Sequence, residues 1–307
     1  MIRRMLAAGI AVAIVSVPLT GCTNASDHRP QVDRLRAEVG AMPGVESISV
    51  DYSDDFTRGT YLDLDLSTRA ASETQIAEVV DRIKTIKRHD FDSYQQSTDF
   101  AVGDRLELKL GANLDPDRIA ARARELRQLG TSLPAAAIRG TDSGIEIEKA
   151  PPATDSLAAV RTVLGNDPTQ VTIRPTDRQP VWTVDLLFDT QQEQDIRTLL
   201  DALPVPVAFV RIDDGHLANL SVGVHSPDSA YQDLTAVIAT ARPTSDHPMD
   251  LRWNWGGYSP DKQFTGSVEV AGCSDGTTAA EAHPEHYLTP DAIDVQRGLR
   301  TEFETCR

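Results

Sequence analysis

Apolar residues recur along most of the chain at the spacing of an α-helix. In one segment, Ile76, Val79, Val80 and Ile83 follow the i, i+3, i+4, i+7 spacing of an amphipathic helix. Such a pattern starts again roughly every 40 residues, which indicates an internal repeat. Helical patterns begin near Gln31, Glu73, Pro116, Asp155, Gln191 and Pro227.

Residues typical of helix N-termini mark several of these starts. Ser72 with Gln75, and Thr190 with Glu193, predict capping boxes, in which two side chains satisfy free backbone N–H groups. Two further starts place a capping side chain directly before a first-turn proline, at 115–116 and at 226–227.

Between the helical segments, apolar and charged residues alternate. Leu62, Leu64 and Leu66 alternate with Asp63 and Asp65. The same period of two occurs in the stretches 106–110, 145–148 and 182–188. This pattern predicts strands with one packed and one solvated face. It excludes a doubly wound parallel sheet, whose strands are apolar throughout.

The order of elements predicts the fold class. From residue 181 we expect strands at 181–188, 205–212, 217–224 and 249–255, with helices at 191–203 and 227–240. This is the order of the split βαβ, or ferredoxin-like, unit. We therefore predict an α+β protein of tandem ferredoxin-like modules, with antiparallel sheets covered by helices on one face and an additional C-terminal helix.

The predicted organisation has six parts. They are a lipoprotein signal peptide at 1–21, a tether at 22–30, an α+β module lacking its first strand at 31–100, complete modules at 101–176 and 177–272, and a tail with a disulfide-stapled helix at 273–307.

The N-terminus has the pattern of a bacterial export signal. Arg3 and Arg4 precede an apolar stretch, 5–18, that is shorter than the roughly 20 residues a membrane-spanning helix needs. The stretch ends in Leu-Thr-Gly-Cys at 19–22, which resembles a bacterial lipobox. The alternative is an ordinary signal peptide followed by a chance cysteine.

The lipobox resemblance implies cleavage between Gly21 and Cys22 and lipidation of the Cys22 thiol. Two acyl chains suffice for stable anchoring to a bilayer. We therefore expect an extracytoplasmic protein, held by acylated Cys22 on the outer face of the cell membrane.

The chain is strongly acidic, with a formal net charge of −16. Residues 1–21 carry two arginines and no acid, so their removal changes the charge from −16 to −18. Such a body repels nucleic acid, which we exclude as a partner. The excess of arginine over lysine suggests a GC-rich, actinobacterial genome.

Cys273 and Cys306 are the two remaining cysteines, and outside the cytoplasm such a pair predicts a disulfide. Thr289 and Pro290 predict the start of a last helix, whose apolar stripe would include Cys306. The bridge would stabilise the fold by roughly 3–4 kcal/mol. The alternative is two free buried thiols.

Two segments have residue types that bind ligands. His283 and His286, with Glu281 nearby, are of the types that bind zinc, but Pro284 between the histidines favours a solvated loop and we predict no metal or cofactor. Trp253, Trp255 and Tyr258, beside a Gly-Gly turn, either pack in the core or form a stacking surface for a sugar or a partner side chain.

Motifs of catalysis are absent from the sequence. It contains no nucleophile elbow and no phosphate-binding glycine loop. His216 and His225 flank one predicted strand and Asp213 and Asp214 precede it, which we interpret as surface residues. We therefore predict no enzymatic activity.

The sequence therefore predicts a non-catalytic lipoprotein that contacts another envelope protein or a wall component. The alternatives are a small-ligand or saccharide carrier using the Trp253–Tyr258 segment and, third, an extracytoplasmic hydrolase.

Overall fold

Twelve strands form a single sheet in the computed structural model, which describes residues 28–55, 57–165, 168–176, 179–255, 264–274 and 288–306. The strands are β1 (Ser47–Asp55), β2 (Gly59–Ser67), β3 (Gln95–Gly103), β4 (Leu106–Leu110), β5 (Ala137–Thr141), β6 (Gly144–Ala150), β7 (Gln170–Pro175), β8 (Val181–Asp185), β9 (Val207–Asp213), β10 (His216–Val224), β11 (Met249–Trp255) and β12 (Thr265–Val270).

The described helices connect hairpins of this sheet or flank its ends. They are α1 (Arg29–Arg34), α2 (Glu73–Lys87), α3 (Pro116–Ser132), α4 (Ala153–Leu164), α5 (Thr190–Asp201), α6 (Ala230–Ala241) and α7 (Pro290–Phe303). A π-helical turn, Leu35–Val39, continues α1. Among the described residues, no helix is both long enough and apolar enough to cross a lipid bilayer.

The strands pair in the order in which they occur in the chain. Antiparallel hairpins alternate with parallel pairs, and each parallel pair is joined by one helix. The sheet continues across the expected module boundary at 176–177, because β7 pairs with β8. The repeating unit is therefore a hairpin followed by a helix.

This order corrects the predicted tandem ferredoxin-like modules with antiparallel sheets. In a split βαβ unit, another strand lies between the two strands that the first helix connects. Here α5 connects β8 to β9, and these strands pair directly, with Val181 opposite Phe209. Periodicity identifies the buried face of a strand, but it does not specify the strand's neighbour.

One face of the sheet carries the core. A buried row crosses eight strands in register: Leu66, Phe100, Leu108, Gly140, Ile145, Val171, Val184 and Ile212. The helices pack on this face; for example, a Cβ on Gly140 would lie 3.4 Å from Leu126 of α3. Their apolar residues join the same cluster, so the opposite face of the sheet is free of the described helices.

The helix crossovers alternate in hand. Five helices, α2 to α6, each join two adjacent parallel strands, and an intervening hairpin reverses the direction from one crossover to the next. Because all five helices lie on the same face, successive crossovers must have opposite hands. At least two are therefore left-handed, although such connections are right-handed in about 98% of known cases.

Local capping follows the sequence closely at α2 but not at α5. Ser72 and Gln75 form the predicted capping box. At α5 the box consists of Asp189 and Gln192, one residue earlier than predicted. The predicted partner Glu193 turns inward and binds two arginines instead.

Candidate functional site

The helix-free side of the sheet, termed the open face, presents polar side chains on most strands. One cross-strand row comprises Glu107, Arg139, Glu146, Thr172, Thr183, Arg211, Asn219, Asp250 and Glu269. Its members bond to one another: Thr172 and Thr183 hydroxyls lie 3.0 Å apart, and Asn219 donates to Asp250 at 2.6 Å. Such pairs stabilise the sheet without covering it.

Three strands at the N-terminal end of the open face carry an aspartate cluster, defined as Asp51, Asp63, Asp65 and Asp99. Asp51 lies opposite Asp63, and Asp65 lies opposite Asp99. Among the described residues, the one cation that forms an ion pair with this cluster is Lys109, whose Nζ lies 3.8 Å from Asp99. Like charges opposite one another destabilise a sheet, so this arrangement costs free energy.

Burial and repulsion together change the acidity of two members of the aspartate cluster. Partial burial, followed by the charges of Asp51 and Asp65, raises the pKa of Asp63 above its ordinary value. Partial burial also raises the pKa of Asp99, and Asp65 adds to this rise while Lys109 opposes it. The cluster therefore attracts positive charge most strongly when all four carboxyls are ionised.

Two hollows beside the aspartate cluster form a groove across the open face. The first, about 290 Å³, is lined by Ser49, Ser67, Asp65 and Asp99, among others. The second, about 240 Å³, shares Ala101 and Glu107 with the first and continues to β5 and β6. The first hollow is acidic, whereas the second has both signs of charge, because Arg69, Arg105 and Arg139 line it together with Glu107, Glu146 and Glu148.

The predicted aromatic surface is divided by the fold. Trp253 is only 3% exposed and packs against Gly266, whereas Trp255, at the end of β11, is 42% exposed. Tyr258 lies outside the described residues. Both tryptophans point to the helix-covered side of the strand, but only Trp253 is covered there.

The cysteine pair is confirmed, with Cys273 and Cys306 joined by a disulfide. Cys306 does not belong to the apolar stripe of α7, because the helix ends at Phe303 and Cys306 is exposed. The bridge therefore connects two surface segments beside β12 and does not lie in the core.

His225 and Asp213, which flank β10, have different partners. His225 bonds through Nδ1 to Asp233 at 3.0 Å, whereas Asp213 pairs with Arg211. Burial opposes ionisation of Asp233, but hydrogen bonds from His225 and Ser229 hold its pKa below the ordinary value. The Ser229 hydroxyl donates to the carboxylate, so the imidazole is not positioned to activate it.

The predicted zinc-type residues His283, His286 and Glu281 lie outside the described residues. Within the described ranges, no three His, Cys, Asp or Glu side chains are placed to hold a metal ion.

Sequence reasoning missed two arrangements on the helix-covered side. Glu193 binds Arg161 of α4 and, at 2.7 Å, Arg197 one helical turn away. The rings of His216 and His247 stack with centroids 3.5 Å apart. The i, i+4 spacing of Glu193 and Arg197 could have predicted their ion pair. The stacked histidines could not be predicted in this way, because they come from segments 31 residues apart in the chain.

No protein-family model, curated protein or solved structure matches this chain.

Proposed function

We propose that the chain is a non-catalytic lipoprotein, held on the outer face of the bacterial cell membrane by acylated Cys22. We propose that its open face docks an extended, basic segment of another envelope protein. The observation that carries this proposal is the aspartate cluster beside the groove, on a sheet face that the helices leave free.

The anchor would hold the folded body close to the bilayer. Cys22 precedes the first described residue, His28, by six positions, which an extended chain spans in about 20 Å. A partner protein at the membrane surface would therefore lie within reach of the open face.

Repulsion within the aspartate cluster supports the docking of a cationic partner. Asp51 and Asp63 repel each other across β1 and β2, as do Asp65 and Asp99 across β2 and β3. A basic side chain placed between them would relieve this repulsion, which supports a cationic partner. The net charge of −16 adds long-range attraction for such a partner.

The groove supports an extended segment as the bound form. Two hollows, of about 290 and 240 Å³, adjoin each other and share Ala101 and Glu107. Serine and alanine side chains leave room for a peptide backbone. The neighbouring carboxylates of Asp65 and Asp99 would receive its lysine or arginine side chains, whereas Glu107 already pairs with Arg139 at 3.0 Å.

The test is a titration of the full lipidated chain, held in vesicles of uncharged lipid, with a nine-residue peptide of alternating lysine and serine. We expect saturable binding that weakens with added salt. The double variant Asp63→Asn, Asp65→Asn should weaken this binding by about tenfold, the equivalent of about 1.4 kcal/mol.

A matched control removes the same charge from the helix side. Glu78 and Asp81 are exposed on α2, and the double variant Glu78→Gln, Asp81→Asn should leave peptide affinity within about twofold of the parent. Equal losses in both double variants would show attraction to net charge alone and would contradict a site on the open face.

A further inference from the structure

A cleft separates α5 from α6 on the helix-covered side, far in sequence from the aspartate cluster. Its volume is about 330 Å³, within the range of small-molecule sites. One side of the cleft is apolar, and its apolar lining consists of Ile196, Leu199, Leu217, Ala241, Pro243 and Met249. We call this space the α5–α6 cleft.

Groups that can carry positive charge surround the α5–α6 cleft. His216, at the start of β10, and His247, before β11, stack with centroids 3.5 Å apart and planes 17° from parallel. Both line the cleft together with Arg242, whereas Asp195 is the one carboxylate among the lining residues that the structure describes. This excess of basic groups is unusual in a chain of net charge −16.

Arg242 occupies a backbone position that favours glycine. It ends α6 in the left-handed region, with φ 50° and ψ 51°, where a residue with a Cβ carries strain. Its N–H caps the carbonyl of Ile238, which any residue except proline would do. Among the described residues, none pairs with its guanidinium, so the fold gives no reason for an arginine there.

We propose that the α5–α6 cleft binds a small amphipathic carboxylate with an apolar body of about ten carbons. The apolar body would lie against Leu199, Leu217 and Met249. The carboxylate would accept hydrogen bonds from the Arg242 guanidinium and from the imidazole N–H groups. This site is separate from the groove and does not depend on the proposed peptide docking.

The three recognition elements come from segments that only the fold brings together. Leu199 is on α5, Arg242 ends α6, and His216 opens β10 after the turn at Gly215. Gly215 has φ 75°, and a Cβ there would lie 2.3 Å from the Gln192 side chain, so the turn fits closely against α5. This close fit fixes one side of the cleft against α5.

The test uses 4-phenylbutanoate as the probe, titrated into the full lipidated chain in vesicles of uncharged lipid, with vesicles alone as the blank. We expect saturable one-to-one binding. The uncharged 4-phenylbutan-1-ol and the cationic 4-phenylbutylamine should each bind at least about tenfold more weakly, because they lack the carboxylate.

Arg242→Gly is the decisive variant, because glycine suits the left-handed position and the substitution removes the whole side chain, including the guanidinium. It should weaken 4-phenylbutanoate binding by about tenfold or more while leaving the melting temperature equal or higher. The matched control is Arg88→Gly, at the end of α2 with φ 46°, which should leave the affinity unchanged.

A second variant tests the apolar wall. Leu199 is half-buried, and Leu199→Glu should abolish binding of the carboxylate by repulsion while the chain remains folded. Equal affinity for the alcohol and the carboxylate, unchanged affinity in Arg242→Gly, or no saturable binding to the folded parent would each overturn the proposal.

Discussion

At the level of single residues, the charges of this protein divide into those that stabilise the fold and those that oppose it. Glu193 is 5% exposed and bonds to Arg161 and Arg197, which in turn lie over the rings of Phe188 and Trp182. The carboxyls of the aspartate cluster have only one described cation nearby. The two groups should therefore respond to neutralisation in opposite directions.

Neutralising Glu193 should destabilise the protein. Glu193→Gln keeps the side-chain shape but leaves two mostly buried guanidinium groups without their counter-charge. We expect a loss of about 3 kcal/mol in the free energy of unfolding, measured by urea denaturation.

The control for Glu193 is an exposed ion pair of the same chemistry. Asp294 and Arg297 on α7 are 71% and 69% exposed, so Asp294→Asn should change the free energy of unfolding by under about 0.5 kcal/mol. A comparable effect of the two substitutions would refute the structural role assigned to Glu193.

Neutralising Asp63 should have the opposite sign. Its pKa is raised in the folded protein, so the folded state binds a proton more tightly than the unfolded chain does. At neutral pH, Asp63→Asn should increase the free energy of unfolding by up to about 1 kcal/mol, the range of one cross-strand pair.

The pH dependence gives an independent check on Asp63. The advantage of the Asn variant should be full above the folded-state pKa and should shrink as the pH falls through it, because Asp63 then becomes neutral too. Urea midpoints of parent and variant, measured between pH 7 and pH 3, would show this convergence. A constant difference would contradict repulsion as its cause.

At the level of elements, the pairing of β11 with β12 depends on one close contact, in which a tryptophan ring of β11 fills the space beside a glycine of β12. Trp253 lies opposite Gly266, and a Cβ on Gly266 would meet the indole ring at 2.2 Å. The strand β12 was absent from the predicted elements. Gly266 weakens the apolar alternation of β12, which made this strand hard to predict. The same glycine leaves the space that the Trp253 ring occupies.

Gly266→Ala should therefore destabilise the C-terminal end of the sheet by about 1–3 kcal/mol, because the ring or the strand must shift. The matched control is Gly223→Ala on β10, where the nearest atom to a new Cβ is 3.5 Å away. Thermal unfolding monitored by tryptophan fluorescence measures both. Similar melting temperatures for the two variants would contradict the packing argument.

At the level of the whole molecule, the chain is one sheet in which every strand pairs with its neighbours in sequence. Contacts therefore connect mainly adjacent repeats, as in repeat proteins. This arrangement leaves a wide open face along one side. A lipid anchor near the first helix would place the β1 end of that face nearest the membrane.

The anchor itself is testable by cell fractionation. Cys22→Ala removes the only thiol of the lipobox, so the protein should move from the membrane fraction to the soluble extracytoplasmic fraction. Cys273→Ala with Cys306→Ala is the control and should leave membrane association unchanged. Retention of the Cys22→Ala protein in the membrane would contradict anchoring by this residue.

Much of the local structure was predictable from residue patterns. The buried rows on β2, β6 and β8, the caps at Ser72 and Asp115, and the Cys273–Cys306 bridge all follow from short-range rules. They are local because periodicity, capping and redox chemistry depend on a residue and its near neighbours. The capping box of α5 shows where short-range rules fail. Glu193 binds Arg161, which is distant in the chain, and does not cap the helix.

The strand order, the open face and the two proposed sites arose only from long-range packing. Alternation shows which side of β8 is buried, but pairing with β9 depends on how α5 crosses the sheet. The aspartate cluster needs the register of three strands, and the α5–α6 cleft needs His216 and His247 to meet from separate segments. Contacts between residues far apart in the chain produce no periodic pattern in the sequence. Sequence patterns therefore predict the helices and strands, and only long-range packing determines which of them are neighbours.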